Sequence, residues 1–260
     1  MTNLISNLSS KALNFSSGFS LNQPKPSGDE DLESRLSAAS NPNATEEHIN
    51  SALSDTHPSV RAAAAQNPNA TKENLNKAST DELWAIRAHA AQHPNASSEH
   101  IGRALNDENS YVRTGAAANP NATSEHIDQA LGDGRKHVRV GAMANPNATP
   151  EHISRALDDS DAAVRTAAAI NPNATSAHID KALRDEHSDV RNRAASNPNA
   201  TTEQLDKAMN DKRWGVRFHA SQNPNANKDH LSKALKDSDL RVVTFAKDSP
   251  NYKTFFPSKS

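Results

Sequence analysis

His48, His100, His126, His152, His178 and His230 fall at one phase of a repeating chain, and Asn74 and Gln204 take the same place in two further units. Imidazoles in register suggest metal chemistry. Zinc holds its ligands at about 2 Å, whereas packed helices lie about 8–10 Å apart, so histidines on neighbouring helices do not share one ion. The Asn and Gln members point instead to a side-chain hydrogen bond as the common task. No metal or cofactor is expected. Asp and Arg form a second series, six residues apart: Asp29/Arg35, Asp55/Arg61, Asp81/Arg87, Asp107/Arg113, Asp133/Arg139, Asp159/Arg165, Asp185/Arg191 and Asp211/Arg217, while Asp237 loses its partner to Val243. Carboxylates and guanidinium groups can support acid–base chemistry, but eight copies of one geometry describe a scaffold and not an active site.

Three other patterns invite chemistry. Asn-Ala-Thr or Asn-Ala-Ser, the N-glycosylation sequon, occurs in seven units from Asn43 to Asn199. The Thr has another task, as a helix cap, and sugar attachment is not expected. Lys77, Arg103, Arg155, Lys181, Lys207 and Lys233 form a basic row that could hold phosphates. Glu73, Glu99, Glu151, Glu203 and Asp229 precede five of the six by four residues, the favoured order for surface pairing on a helix, so the row reads as a self-neutralised, solvated face. The third pattern is local: Lys212-Arg213-Trp214, then Phe218 and His219. Trp84 shares the phase of Trp214 five units away, Tyr111 is a further large aromatic, and Arg135-Lys136-His137 lies near in phase. Trp and Arg are favoured interface anchors, and Trp84, Tyr111, Arg135, Lys136, Lys212, Arg213, Trp214, Phe218 and His219 are the candidate partner-binding residues. The alternative for Trp214 is packing on Phe218 at i,i+4.

All of these series are positioned by one element, Asn-Pro-Asn-Ala-Thr, first at Asn41 and again at Asn67, His93, Asn119, Asn145, Asn171, Asn197 and Asn223, every 26 residues. A strict period of this size marks a solenoid. Within a unit, residues 160–170 read as a helix, with Val164 and Ala168 on one face. Pro172 ends it, with Asn171 suited to a left-handed cap. Thr149 followed by Pro150 is a favoured helix start, and Thr45, Thr71, Ser97, Thr123, Thr175 and Thr201 share its place. Ile or Leu follows four residues on, so the second helix spans two to three turns, partly 3₁₀ on account of its length.

The bulk composition agrees. Of 260 residues, 34% are hydrophobic and mostly alanine, and 4% are aromatic, with a mean hydropathy of -0.82. A compact globule of this size normally carries more Leu, Ile, Val and Phe, whereas a solenoid buries only a thin slab between neighbouring repeats. Twenty-nine basic and 31 acidic residues leave a net charge of -2, which offers no global attraction to nucleic acid or anionic lipid. The absence of cysteine excludes disulfides and thiolate metal sites and fits a reducing, cytoplasmic compartment. No apolar run is long enough to span a membrane. Residues 1–28 read as a polar tail or cap in which Leu4, Leu8, Ala12, Phe15 and Phe19 could line one face, with Asn22 to Gly28 as a linker; a secretion signal, and thus a secreted effector, is the other reading. Residues 29–248 form the array. Residues 249–260 close it, with Phe245, Tyr252, Phe255 and Phe256 covering the terminal core.

The run Val164-Arg165, Ala167-Ala168-Ala169, Asn171-Pro172 and Thr175 resembles the leucine-rich repeat variant family, and Asp…Val-Arg…Ala-Ala resembles HEAT-type repeats. The first family's unit is somewhat shorter. The resemblance covers roughly residues 29–250 and implies an all-α right-handed superhelix of short two-helix repeats, an α-solenoid. It also implies an inter-repeat charge ladder that includes Asp55, Arg61, Asp107, Arg113, Asp159, Arg165, Asp185 and Arg191, in which loss of Arg165 leaves Asp159 unpaired. Both families are implied to serve mainly as protein-interaction surfaces, some HEAT-like members binding DNA or acting as alkylpurine DNA glycosylases. The leading expectation is therefore a non-enzymatic scaffold for a protein partner. The alternative is nucleic-acid binding through Arg135, Lys136, Lys212, Arg213 and Trp214. A glycosylase-like enzyme fits least, since the aspartates are ladder members.

Overall fold

The computed structural model describes residues 27–257, and every regular element among them is a helix. The 14-residue helix Ser27–Ser40 leads the array and begins inside the stretch expected to be a linker. The apolar set from Leu4 to Phe19 lies outside the described residues. From Glu46 to Gln222, a short helix and a longer one alternate, giving an α-solenoid of two-helix repeats. A representative repeat has Ala162–Ile170 as its first helix and Ser176–Ala182 as its second. Val164, Ala168, Ala169, Ile179 and Ala182 are at most 1% exposed and form that repeat's slab of core. The second helices are regular α-helices of seven or eight residues, not partly 3₁₀. Each Thr, Ser or Asn cap satisfies enough of the first turn to keep even two turns in α geometry.

The Asn-Pro-Asn turn differs from expectation in an instructive way. Asn171 ends its helix with φ -58° and ψ 135°, extended and not left-handed. Pro172 forbids the α region to the residue before it and selects extended backbone. The Asn is therefore retained for its side chain. Asn171 Oδ1 accepts the Asn173 N–H at 2.8 Å, while its Nδ2 donates to the Met143 and Asn145 carbonyls of the preceding repeat at 2.8 and 3.3 Å. Met143 lies in the last turn of the preceding first helix, Lys136–Ala144, where carbonyls lack intrahelical partners. Each repeat thus caps the C-terminus of its predecessor. Asn173 Nδ2 adds bonds to Pro146 O and Ala148 O at 2.7 and 2.9 Å.

The other end of the first helix carries the charge ladder. Arg165 Nη1 donates to the carbonyl of Asp159 in its own repeat at 2.9 Å. Its Nε and Nη2 reach forward to Asp185, at 2.7 and 3.0 Å. The carboxylate partner is therefore twenty residues ahead and not six behind. Arg61–Asp81, Arg113–Asp133 and Arg191–Asp211 follow the same rule. Asp159 is held by Arg139, so loss of Arg165 strands Asp185 and not Asp159. Asp237, expected to lack a partner, has Arg217 at 2.7 Å; what Val243 removes is the next rung. The geometry follows from placement. Asp185 Oδ1 accepts the His187 N–H at 2.8 Å just before a first helix, which aims its carboxylate at the approaching guanidinium. Burial alone would raise Asp185, but Arg165 and that amide hold it below the usual carboxylate range.

Between these two clamps the first helices of successive repeats pack directly on one another. At Gly141 an added Cβ would lie 3.1 Å from the Thr114 carbonyl of the preceding repeat, so the small residues here set the closeness of the stack.

Two outcomes check this account. In a double-mutant cycle followed by urea unfolding, Arg165→Ala should cost about 2–4 kcal/mol and couple strongly to Asp185→Ala but weakly to Asp159→Ala. Asn171→Asp, which keeps the shape but sets an acceptor against two carbonyls, should destabilise by about 1–3 kcal/mol.

Candidate functional site

The in-phase histidines are capping residues. The Thr123 N–H donates to His126 Nδ1 at 3.1 Å, and the His126 N–H donates back to Thr123 Oγ1 at 3.4 Å. His48, His100, His152, His178 and His230 hold the same reciprocal position. Asn74 and Gln204 replace them with an amide oxygen, Gln204 Oε1 accepting the Thr201 N–H at 2.9 Å. The hydrogen-bond expectation holds, with its geometry now explicit. As Nδ1 accepts, the remaining proton sits on Nε2. That edge faces the preceding repeat: His178 Nε2 lies 2.8 Å from Ser154 Oγ and His230 Nε2 2.9 Å from Asp206 Oδ1. Burial lowers the pKa of His100, His126 and His178, which keeps them neutral and able to accept. His93 substitutes for the ladder Asn in the same spirit, with Nδ1 accepting the Asn95 N–H and Nε2 set 2.9 Å from Asn67 O; burial lowers it too.

The basic row is tied chiefly to the preceding repeat. Lys181 meets Asp158 at 2.6 Å, Lys207 meets Asp180 at 3.1 Å, Arg155 approaches Asp128 at 3.5 Å, and Lys77 donates to the Asn50 carbonyl at 2.7 Å. Of the expected i,i+4 pairs, Glu203–Lys207 closes to 3.3 Å and Glu99–Arg103 to 3.9 Å. A long side chain finds acceptors on the adjacent second helix as readily as on its own. From Asn69 on, the sequon asparagines have their amides engaged between repeats, as at Asn121, whose Nδ2 donates to Pro94 O and Ala96 O at 2.7 and 3.0 Å. Glycosylation would consume that nitrogen.

The aromatic candidates separate into two places on the first-helix layer. Trp84 stacks on Tyr111 with ring centroids 5.3 Å apart, and Tyr111 on His137 at 5.4 Å, giving a ladder across three repeats. Trp84 and Tyr111 remain 44% and 61% exposed. Five repeats from Trp84, Trp214 is half-buried against Phe218 (6.2 Å), which meets His219 at 4.9 Å and Phe245 at 5.4 Å. Arg241 lies 3.8 Å over the Trp214 ring. It is pinned there by Asp239, whose pKa falls to about 2 under the Arg241 hydrogen bond. Packing of Trp214 on Phe218 and exposure of the patch therefore coexist.

The basic candidates do not form one site. Arg135 and Lys136 adjoin the Trp84 ladder through His137, three repeats from Trp214, and not the Trp214 cluster they were expected to extend. Lys136 is paired with Asp161 at 3.1 Å. Lys212 and Arg213 are exposed beside Trp214, Arg213 donating its backbone N–H to Asp211 Oδ1 at 2.8 Å. Sequence reasoning missed Leu83, Leu240 and Arg241 as parts of these surfaces. Leu240 shares the phase of Trp84 and Trp214, and Arg241 that of Tyr111, a signal available from aligning the repeats.

His100, His126 and His178 carry a pH signature. A histidine held neutral in the fold takes up its proton more readily when unfolded, so stability present above the unfolded pKa of about 6.5 is lost as pH falls below it. Thermal melts should therefore decline from about pH 6.5 downward. His126→Gln with His178→Gln, which copies the Gln204 arrangement, should flatten that limb while leaving the steeper aspartate-linked loss below about pH 4.

No protein-family model matches this chain, and no curated protein matches it. Among solved structures it is similar to a leucine-rich repeat variant with a novel repetitive structural motif, at 22% identity and a TM-score of 0.55, covering 77% of this chain and 80% of that one. A second similar structure, the Escherichia coli protein YibA, is 18% identical with a TM-score of 0.48, covering 91% of this chain and 100% of that one. The repeats described above and the first of these structures agree on the architecture: the chain has the fold of a leucine-rich repeat variant, a helical repeat array.

Proposed function

We propose that this repeat scaffold is non-enzymatic and binds protein partners through the first-helix layer. One observation carries the proposal. The exposed large hydrophobic side chains of the described residues are Leu83, Trp84, Tyr111, Leu240 and Phe245, and they gather at the two aromatic clusters instead of scattering singly. Contiguous exposed apolar groups of this kind mark interaction sites, and Trp, Tyr and Arg are the side chains that anchor them. The titratable groups with displaced pKa values support the non-enzymatic part. Arg165, Asp185, His126 and their counterparts each have a structural partner that repeats down the array.

An affinity pull-down from the native source tests the proposal. Wild type should retain a protein that is lost from Trp84→Ala/Tyr111→Ala or from Arg213→Ala/Trp214→Ala, with thermal melts unchanged for the first pair because its side chains are exposed. Identical captures by wild type and both variants would overturn it, as would a turnover by the purified chain that disappears on a single substitution.

A further inference from the structure

We propose that residues 6–14 of this chain dock on the N-terminal end of the array as one further first helix, a cap that is independent of the partner proposal. The first helices of successive repeats pack on one another, and the helix Ser27–Ser40 opens the described series. Its outer face carries the groups that meet a preceding repeat elsewhere. Ala64 and Ala168 are fully buried at their phase, whereas Ala38 is exposed. His48 is exposed where His100 and His178 are buried. Asn67 Nδ2 reaches back to Ala39 O and Asn41 O at 2.8 and 2.9 Å, but the Nδ2 groups of Asn41 and Asn43 have no acceptor among the described residues. A cleft of about 370 Å³ opens here, with Arg35, Ala38, Asn41, His48 and Ala52 in its lining.

The sequence supplies an occupant in register. Leu8, Ala12 and Leu13 fall at the phases of Val164, Ala168 and Ala169, six periods earlier, and those three positions are the fully buried first-helix core of their repeat. Residues 6–14 thus carry the apolar pattern of a first helix. In that register the carbonyls of Leu13 and Phe15 would come to Asn41 Nδ2, as those of Ala39 and Asn41 come to Asn67. Phe15-Ser16-Ser17-Gly18 lacks the Asn-Pro-Asn of the regular turn, so the cap is a half-repeat. Ser9 stands at the phase of the ladder arginines, twenty residues before Asp29, so this helix brings packing and no charge rung. Residues 15–26 tether it with a reach of up to about 40 Å. A tether of that kind holds its segment at roughly millimolar effective concentration, which favours residues 6–14 over a second copy. Terminal repeats need a covered outer face for solubility. At the other end Tyr252 and Phe256, with ring centroids 5.2 Å apart, stand at that position.

Cysteine pairing in the full-length chain, which has no cysteine of its own, tests the docking. Leu13 and Ser37 stand at the phases of Ala117 and Gly141, and a Cβ added at Gly141 lies 3.6 Å from the Ala117 Cβ, within disulfide reach. Leu13→Cys/Ser37→Cys should therefore close an intramolecular disulfide roughly tenfold faster than Lys11→Cys/Ser37→Cys, whose first cysteine is turned about 200° around the same helix. Leu8→Asp should erase the difference. Ser9→Arg, which supplies the missing rung, should raise the melting temperature by about 2–4 °C, with no rise when Asp29→Asn is also present. Equal closure rates for the two cysteine pairs would overturn the docking. Closure between copies at micromolar protein would overturn it as well, by assigning the face to a second copy. A Ser9→Arg variant that melts like wild type, or whose rise survives Asp29→Asn, would overturn the register on which the proposal rests.

Discussion

The structure depends on a side-chain amide that serves two repeats at once. Asn171 and its counterparts use their oxygen to shape the turn that follows and their nitrogen to close the open C-terminus of the preceding helix. Helix ends are costly to bury unsatisfied, and here they are buried because the neighbour supplies the donor. A helix of nine residues is too short to be stable alone, so the cap and the stacking are one event. The need for both a donor and an acceptor explains which residues appear at this position. Asn meets it, His93 meets it with its two ring nitrogens, and Ser249 keeps only the donor, at the last unit, where its hydroxyl reaches Ser221 O.

The charge ladder and the capping histidines divide the remaining work. Guanidinium groups tie the N-terminal edge of each first helix to the next repeat, and histidines start each second helix. Together these tasks absorb most of the chain's distinctive chemistry. What is left free to vary is a small set of positions on the first helices, the phases of Trp84, Tyr111, Phe218 and His219, and it is there that aromatic and charged side chains break the pattern.

Much of this was legible in the chain. The 26-residue period, the two helices per unit, the Thr caps and a hydrogen-bonding histidine series all follow from spacing, because local rules of helix starts and proline backbone act within a few residues. The pairing of Arg with Asp was not legible in that way. Six residues separate Asp159 from Arg165 in sequence, but the bond that forms spans twenty, because the guanidinium edge facing the next repeat is decided by stacking. The same limit applies to Asn171, where proline fixed the backbone but the side chain's target lay in another unit. At the candidate surfaces, sequence phase placed Trp84 with Trp214 and the structure kept them five repeats apart. Arg135 and Lys136 went to the nearer cluster because contact follows the stack one unit at a time.

From Asn67 on, the amides of the turn asparagines point toward the preceding repeat and the ladder arginines toward the next, so the array has a direction as a filament does, built from interchangeable steps. A whole unit can be removed without leaving an unmatched donor, since the repeats on either side present the same groups to each other. The two aromatic clusters sit at fixed counts along this track. Repeat number is therefore a gauge of the separation between them, and a lineage that adds or drops a unit alters the spacing of the two clusters while each keeps the same side chains.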